Sequence, residues 1–119
     1  MTLQELLNAI QQGQNVQGED FSGQDLSNQD LSGVNFSGAN FSGADLRNTN
    51  MKRAHLRACD FTKTDLRGSD LSETDLCDAD LRGAKLRRAN LTQSNRIGSK
   101  IQQWALKGAY ITGPTAYVD

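Results

Sequence analysis

An apolar residue returns at every fifth position along most of this chain. Counting in fives from Val16, each position up to Leu91 is apolar. An α-helix turns by about 500° in five residues and a strand alternates with period two, so neither would bury this set on one face. The period therefore predicts a chain that turns once per five-residue unit and returns each central residue to a shared interior.

The other positions of the unit are small or polar in a fixed order. The residue before the centre is Asp or Asn from Asn15 to Asn95, except at His55 and Lys85. The residue two before the centre is small in the middle of the chain, which predicts that it also points inward. The residues after the centre are mostly Ser, Thr or Arg and then often Gly. These residue types favour tight turns, because Asx side chains bond nearby amides and Gly tolerates positive φ.

A spacing of 20 residues lies over the five-residue period. It relates Phe21 to Phe41 and Phe61, Asp25 to Asp45 and Asp65, and Arg47 to Arg67 and Arg87. Twenty residues are four units, so this spacing indicates a coil with four sides. Under that geometry, the three Phe side chains stack on one wall.

The units resemble those of a known family. Residues 39–43, 44–48 and 84–88 are similar to the A-[DN]-[LF]-x-x unit of the pentapeptide-repeat family. The resemblance implies an all-β solenoid, a right-handed quadrilateral β-helix of about four coils with one unit per side. The repeats are expected to form residues 14–95.

The pattern of residues 1–13 predicts a capping α-helix. Thr2 and Glu5 match a capping box, and apolar residues such as Leu6 and Ile10 fall on one helical face, with Gly13 as a stop. This helix is expected to cover the open end of the solenoid. The first coil has larger residues at the small position, which predicts that it is looser or partly covered by the N-terminal segment. These residues are Gln14, Glu19, Gln24 and Gln29.

The break in the repeat pattern predicts that residues 96–119 form a C-terminal cap and tail. Arg96 interrupts the apolar column, and we expect a short helix or turn over residues 99–106 in which Ile101 and Trp104 cover the last coil. Residues 109–113 resemble one more repeat. An extended tail around Pro114 is expected to follow.

Composition excludes several classes of protein. The chain has 119 residues, which favours one domain, and its 36% hydrophobic content lies below the usual range. Two cysteines are too few for a disulfide framework, and without a C-x-x-C or Cys/His cluster no metal is expected. We expect Cys59 to point inward and Cys77 to be exposed. The absence of a signal-peptide pattern or a long apolar run predicts a cytoplasmic protein with no membrane segment.

No pattern of catalytic residues emerges from the sequence. The many Asp and Asn residues occupy one repeat position and are explained by turn formation. His55 stands alone in that column, and the Gly-rich stretches lack the Gly-Lys-Ser/Thr of a phosphate-binding loop. The sequence therefore predicts a non-enzyme with no catalytic, metal-binding or cofactor-binding residues.

Charge is distributed unevenly along the chain. Residues 1–46 contain acidic residues and no Lys or Arg, so all 13 cations follow them. Part of this charge is expected to be compensated, because the Arg47 column lies near the Asp25 column. The candidate partner surface consists of Arg47, Arg67, Arg82, Lys85, Arg87 and Arg88.

These features favour a scaffold that binds a protein partner whose identity the sequence does not give. The scaffold is expected to be a monomer or a weak dimer through a solenoid end. The family resemblance offers an alternative, a DNA-mimic inhibitor of a type II topoisomerase, which calls for a longer and more acidic rod. A second alternative is polyanion binding by the basic C-terminal end. Nucleic acid is disfavoured as a partner, because aromatic residues near those cations are few, namely Trp104 and Tyr110.

Overall fold

The computed structural model describes residues 1–111, so the predicted tail around Pro114 lies outside the described residues. The described residues contain helix α1, Leu3–Gln11, and a 3₁₀ helix, Gln103–Leu106. From Asp20↔Asn40 to Asn90↔Tyr110, parallel bridges join the residue before each centre to the residue 20 positions later, except at Lys85, whose partner position falls in the 3₁₀ helix. Four units therefore complete one coil, and the predicted 20-residue period is confirmed.

The coil has four walls, and each unit contributes one bridged residue to its wall. Regular strands are replaced by isolated bridges throughout residues 1–111, so the β-structure is a ladder of single residues. We number the walls by their central residues. Wall 1 has Val16, Phe36, Leu56, Leu76 and Arg96; wall 2 has Phe21, Phe41, Phe61, Leu81 and Ile101; wall 3 has Leu26, Leu46, Leu66 and Leu86; wall 4 has Leu31, Met51, Leu71, Leu91 and Ile111.

Backbone and Asx hydrogen bonds hold each turn. Within a wall the amide of Phe21 donates to the Asn40 carbonyl at 2.7 Å, and the amide of Asn40 donates back to the Glu19 carbonyl at 2.9 Å. The Asp20 carboxylate accepts the Ser22 amide at 2.9 Å, and this local bond recurs at most Asp and Asn residues before the centres. The residue two after the centre is left-handed, which explains the glycines there.

The interior is a column of stacked central residues. Phe41 lies between Phe21 and Phe61 with parallel rings, and Phe36 meets it edge-on. The small residues two before the centre are also buried, as Ala39 and Ala79 show. Both sets of positions were predicted to point inward, and both predictions are confirmed.

Helix α1 covers the first coil. Its capping box is formed, since the Glu5 amide donates to the Thr2 hydroxyl and the Thr2 amide donates to the Glu5 carboxylate. Leu6 and Ala9 are buried against the core. The Met1 amino group donates to the Asp20 carbonyl at 2.9 Å, which continues the register of the ladder bonds. The predicted cover over the first coil is therefore present.

The ladder continues past the boundary predicted at Asn95. Bridges reach Lys100 and Tyr110, and Arg96 occupies its central position with only 7% exposure. The 3₁₀ helix lies in the predicted segment, but Trp104 is 69% exposed, so the prediction that it covers the last coil was wrong. Where the chain leaves the coil path, Ala105 turns inward instead, and the tryptophan is left outside.

Within residues 1–111, neither helix has the length and apolar character required to span a bilayer.

Candidate functional site

Wall 3 carries most of the predicted surface cations. Each unit presents two outward positions, one before and one after the central residue. Before the centres of wall 3 stand Asp25, Asp45, Asp65 and Lys85, and after them stand Ser27, Arg47, Arg67 and Arg87. An acidic column thus runs beside a basic column, and the acidic column changes sign at Lys85.

In the middle of wall 3 the charges are paired. Arg47 Nη2 lies 2.7 Å from Asp45 Oδ2, and Arg67 Nη2 lies 2.6 Å from Asp65 Oδ2. Hydrogen bonding from each arginine holds the pKa of its carboxyl partner below the ordinary value. The pairs are partly exposed and screened by solvent, so they add little to stability. Their main effect is to neutralise this part of the wall, as the sequence predicted.

Among the described residues, the C-terminal part of wall 3 lacks carboxylates that pair with its cations. Arg47 and Arg67 each pair with the aspartate two residues before them, but Arg87 has Lys85 at that position. Among residues 1–111, no carboxylate lies within ion-pair distance of the four cations in this region. We call these four the basic cluster: Lys85, Arg87, Arg88 and Lys107.

A groove lies between wall 3 and the 3₁₀ helix. Its volume is about 440 Å³, and Lys85, Arg87, Lys107 and Trp104 line it above a floor that includes Gly83. After the 3₁₀ helix, the amide of Arg88 donates to the Gly108 carbonyl at 2.7 Å, one residue out of the register of the other coils, and the ladder resumes where the amide of Tyr110 donates to the Ala89 carbonyl at 2.9 Å. The groove therefore joins an exposed aromatic ring to cations that, within residues 1–111, have no carboxylate at ion-pair distance.

The structure brings together all but one of the predicted surface residues. Arg47, Arg67, Lys85 and Arg87 share wall 3, and Arg88 lies at the corner that follows. Arg82 stands on wall 2, where it pairs with Asp80 at 2.6 Å. Lys107 and Trp104 were missed in the sequence. Lys107 continues the 20-residue spacing of the Arg47 column and could have been found, whereas the outward turn of Trp104 has no sequence signal.

The cysteines are poorly placed for chemistry. Cys59 is buried, with Sγ 3.1 Å from the Phe36 carbonyl oxygen, and burial raises its pKa to about 12. Cys77 was predicted to be exposed, which was wrong, because it is only 5% exposed between Arg57 and Ile97 of the adjoining coils. Burial, with the nearby Asp75 carboxylate, raises the pKa of Cys77. Since the thiolate is the reactive form, neither side chain is an activated nucleophile.

His55 occupies the Asx column of wall 1, where it bridges to Asn35 and Asp75, and it is exposed. His55 thus takes the place of the Asp or Asn that precedes the central residue in most units. Within the described part of the chain, no group of His, Cys, Asp and Glu side chains is arranged to hold a metal ion.

Comparison with known families identifies the class of protein. The family model for pentapeptide repeats matches residues 18–53 and 54–93 in 8 copies. The chain belongs to the pentapeptide-repeat family. A sequence comparison with curated proteins found no significant match.

Solved structures of this family are similar to the chain. A pentapeptide-repeat protein from the thylakoid lumen of Arabidopsis thaliana is 40% identical over 69% of this chain and 57% of its own, with a TM-score of 0.66. HetL from the cyanobacterium Nostoc, involved in heterocyst differentiation regulation, is 32% identical over 92% of this chain and 46% of its own, with a TM-score of 0.62. This chain therefore spans about half the length of either relative.

Another pentapeptide-repeat protein from Nostoc is closer in length. It is 27% identical over 93% of this chain and 96% of its own, with a TM-score of 0.57. The shared coil thus occurs in proteins of about this size as well as in longer ones.

Proposed function

We propose that the chain is a non-enzymatic scaffold, a right-handed quadrilateral β-helix that binds a protein partner through its walls in the cytoplasm. The observation that carries this proposal is the fixed spacing of the outward side chains. Outward positions are anchored by ladder bonds to a neighbouring coil and, where Asp or Asn precedes the centre, by the local Asx bond, as at Asp45 and Arg47. Successive coils repeat these positions about 4.8 Å apart.

Such a surface suits recognition, because its backbone is already ordered before a partner arrives. Binding then loses less conformational freedom than binding to a loop would. Side chains at the C-terminal end add apolar contact area, since Ile97, Trp104 and Tyr110 are all more than half exposed. The part that HetL takes in regulating heterocyst differentiation is compatible with a module of this kind.

The DNA-mimic alternative has less support. A protein that imitates duplex DNA presents acidic walls, whereas wall 3 presents Arg47, Arg67 and Arg87 in one column. Monomers, or weak dimers through a solenoid end, remain the proposed state in solution.

Partner capture tests the proposal. The tagged full chain is used to capture proteins from native cell extract, beside a variant in which Arg47, Arg67 and Arg87 are changed to Ser. Serine occupies the same column at Ser27, so the variant keeps a residue type that the coil accepts. We expect at least one protein to be retained by the folded chain and lost from the same chain after thermal unfolding. The wall variant shows whether wall 3 is used.

Capture that does not depend on folding would overturn the scaffold proposal. So would a reproducible turnover that a point mutation on a wall abolishes.

A further inference from the structure

The repeat rule is broken on wall 3 at Lys85. The coil accepts Asp at this position three times, at Asp25, Asp45 and Asp65, and an aspartate here would accept the amide of Arg87 and pair with its guanidinium. Lysine does neither. Lys85 therefore lacks the local turn bond and places a cation beside other cations, and both effects lower the stability of the fold. A residue that breaks the repeat rule at a cost in stability is expected where it serves a function.

We propose that the groove lined by Lys85, Arg87, Lys107 and Trp104 binds a short acidic peptide segment of a partner protein, with an apolar side chain of that segment against the indole ring. This inference rests on the proposed scaffold function and names the surface and the chemistry of its partner.

The charge in the groove is held in place by the backbone. Lys85 is bonded twice to the preceding coil, since its amide donates to the Thr64 carbonyl at 3.0 Å and its carbonyl accepts the Leu66 amide at 2.8 Å. Lys85, Arg87 and Lys107 line one groove with charge of a single sign, so an anion that enters it is attracted to all three. Carboxylates are the natural ligands, because arginine binds them through two parallel hydrogen bonds.

The wall limits the length of the ligand. In the coils that precede Lys85, the same column holds Asp65, Asp45 and Asp25. The neighbouring Arg67 and Arg47 already form ion pairs with Asp65 and Asp45. A nucleic-acid strand that followed the wall would bring phosphates against these carboxylates. A short segment that ends within the groove avoids them. The observations therefore favour a peptide over a nucleic acid.

Trp104 supplies the apolar part of the site. The ring is 69% exposed, although Ala105 beside it is 8% exposed and anchors the 3₁₀ helix on the last coil. Tryptophan and arginine are the residues most enriched at the energetic centres of protein interfaces. A leucine or an aromatic side chain laid on the indole would bury surface that the folded chain leaves in water.

The direct test uses the intrinsic fluorescence of Trp104, the only tryptophan in the chain. The full-length protein is titrated at low salt with a capped glutamate-rich peptide that carries one central leucine and no tryptophan. Two further peptides replace the glutamates by glutamine, or the leucine by glycine, and an oligothymidylate serves as the nucleic-acid probe. We expect the glutamate–leucine peptide to bind, the glutamine peptide not to bind, and the glycine peptide to bind several-fold more weakly. Affinity should fall as salt is added.

Two substitutions of equal charge form a matched pair. Lys85→Asp restores the aspartate column of wall 3, whereas Lys100→Asp does the same on wall 2, where Lys100 bridges to Asp80. Both lysines are exposed and both substitutions change the net charge equally. We expect Lys85→Asp to weaken peptide binding about tenfold or more and Lys100→Asp to change it by less than about threefold, a difference of about 0.7 kcal/mol or more. Trp104→Ala, followed by calorimetry, should weaken binding of the leucine peptide but not of the glycine peptide.

Circular dichroism melts of each variant establish that the coil is intact. The groove proposal is overturned by equal losses in the two lysine variants, by tighter binding of the oligothymidylate than of the peptide, or by no peptide binding at low salt. Its failure is distinct from failure of the scaffold proposal. A captured partner that the Lys85→Asp variant still retains would leave the scaffold standing without the groove.

Discussion

The ring of Phe41 lies parallel to that of Phe61, with centroids 5.2 Å apart and planes that differ by 3°. Phe21 extends the stack on the other side at the same separation. The three residues are 20 positions apart, so the stack is a direct product of four units per coil. It links the sequence spacing to the packing of the interior, because each ring repeats its position one ladder step higher.

Truncation of Phe41 should be among the costliest changes in this chain. Its ring contacts Phe21, Phe36 and Phe61 and is fully buried. We expect Phe41→Ala to lower the free energy of unfolding by about 3–5 kcal/mol, because it removes buried surface and leaves a cavity. Phe41→Leu should cost about 1–1.5 kcal/mol, since leucine is the commonest central residue. Urea denaturation measures both. If the two substitutions cost the same, the loss of the ring stack, and not the loss of buried volume, would account for the destabilisation.

Left-handed backbone at Ala58 predicts a stabilising substitution. Ala58 has φ 60° two residues after its centre, where glycine stands at Gly38 and Gly98. An alanine in this conformation is strained by about 1–2 kcal/mol, part of which is offset by the greater freedom of glycine in the unfolded chain. We expect Ala58→Gly to raise the free energy of unfolding by about 0.5–1 kcal/mol.

The matched control is Ala54→Gly, which makes the same chemical change at a buried position. Ala54 lies in the small inward column, so the substitution removes a packed methyl group and should destabilise the coil by about 1 kcal/mol. Thermal melts of the two variants should move in opposite directions from the parent. A shift of the same sign in both would contradict the role assigned to the left-handed position.

The five-residue period predicted the solenoid because every central position obeys one packing rule. The four-sided coil, the inward small column and the Phe21–Phe41–Phe61 stack all follow from that rule and are confirmed. The prediction that the repeats end at Asn95 relied on the charge of Arg96, and here side-chain chemistry was misleading. The backbone bonds do not require an apolar centre at every unit, since the amide of Lys100, beyond Arg96, donates to the Ala79 carbonyl at 2.9 Å.

The parts of the site that sequence could not predict depend on neighbours in other coils. Cys77 stands at an outward position, but its neighbours at 57 and 97 cover it. Trp104 is apolar and close to the end of the coil, which favours a capping role until the path of the 3₁₀ helix is known. The basic cluster was found in part, because a repeat makes columns visible, but the groove beside it is a property of the chain path.

Acid should destabilise the coil through the Asx bonds. The Ser27 hydroxyl lies 2.6 Å and its amide nitrogen 3.0 Å from Asp25 Oδ1, and Ser32 bonds Asp30 in the same way. These bonds lower the pKa of both carboxyls in the folded state. At a pH between the folded and unfolded values the unfolded chain binds more protons, so protonation favours unfolding. Stability should be complete above the unfolded value of about 3.9 and be lost as pH falls through the lower folded values.

Thermal melts between neutral pH and pH 2 measure this effect. The matched variant carries Asp25→Asn and Asp30→Asn, because the asparagine oxygen accepts the same amide bonds without titrating, as Asn35 shows. We expect it to melt near the parent temperature at pH 7 and to lose less stability in acid. Identical acid profiles would show that these carboxylates do not couple folding to protons.

Neither cysteine should react with a thiol reagent while the chain is folded. Burial raises the pKa of both thiols, and each is nearly inaccessible. We expect labelling to be slower than in urea by at least about 100-fold, because it requires opening of the coil. Ser22→Cys supplies an exposed control at the same repeat position as Cys77. Rapid labelling of Cys77 in the native protein would contradict the packing described for wall 1.

Helix α1 should protect the first coil from self-association. Leu6 is fully buried, and a carboxylate there would be forced against the core. Leu6→Asp should therefore release the helix, which has nine residues and is marginal in water alone. Phe41 and the coils above it do not depend on this contact, so the solenoid should stay folded. Its first coil would then present unpaired backbone groups beside Val16 and Phe21, an edge that favours stacking between chains.

Gln4→Asp is the control, since it adds the same charge at an exposed position of the helix. Sedimentation velocity over a concentration series should show more association for Leu6→Asp than for the parent or the control. Unchanged sedimentation and melting of Leu6→Asp would mean that the helix does not cap the solenoid in solution.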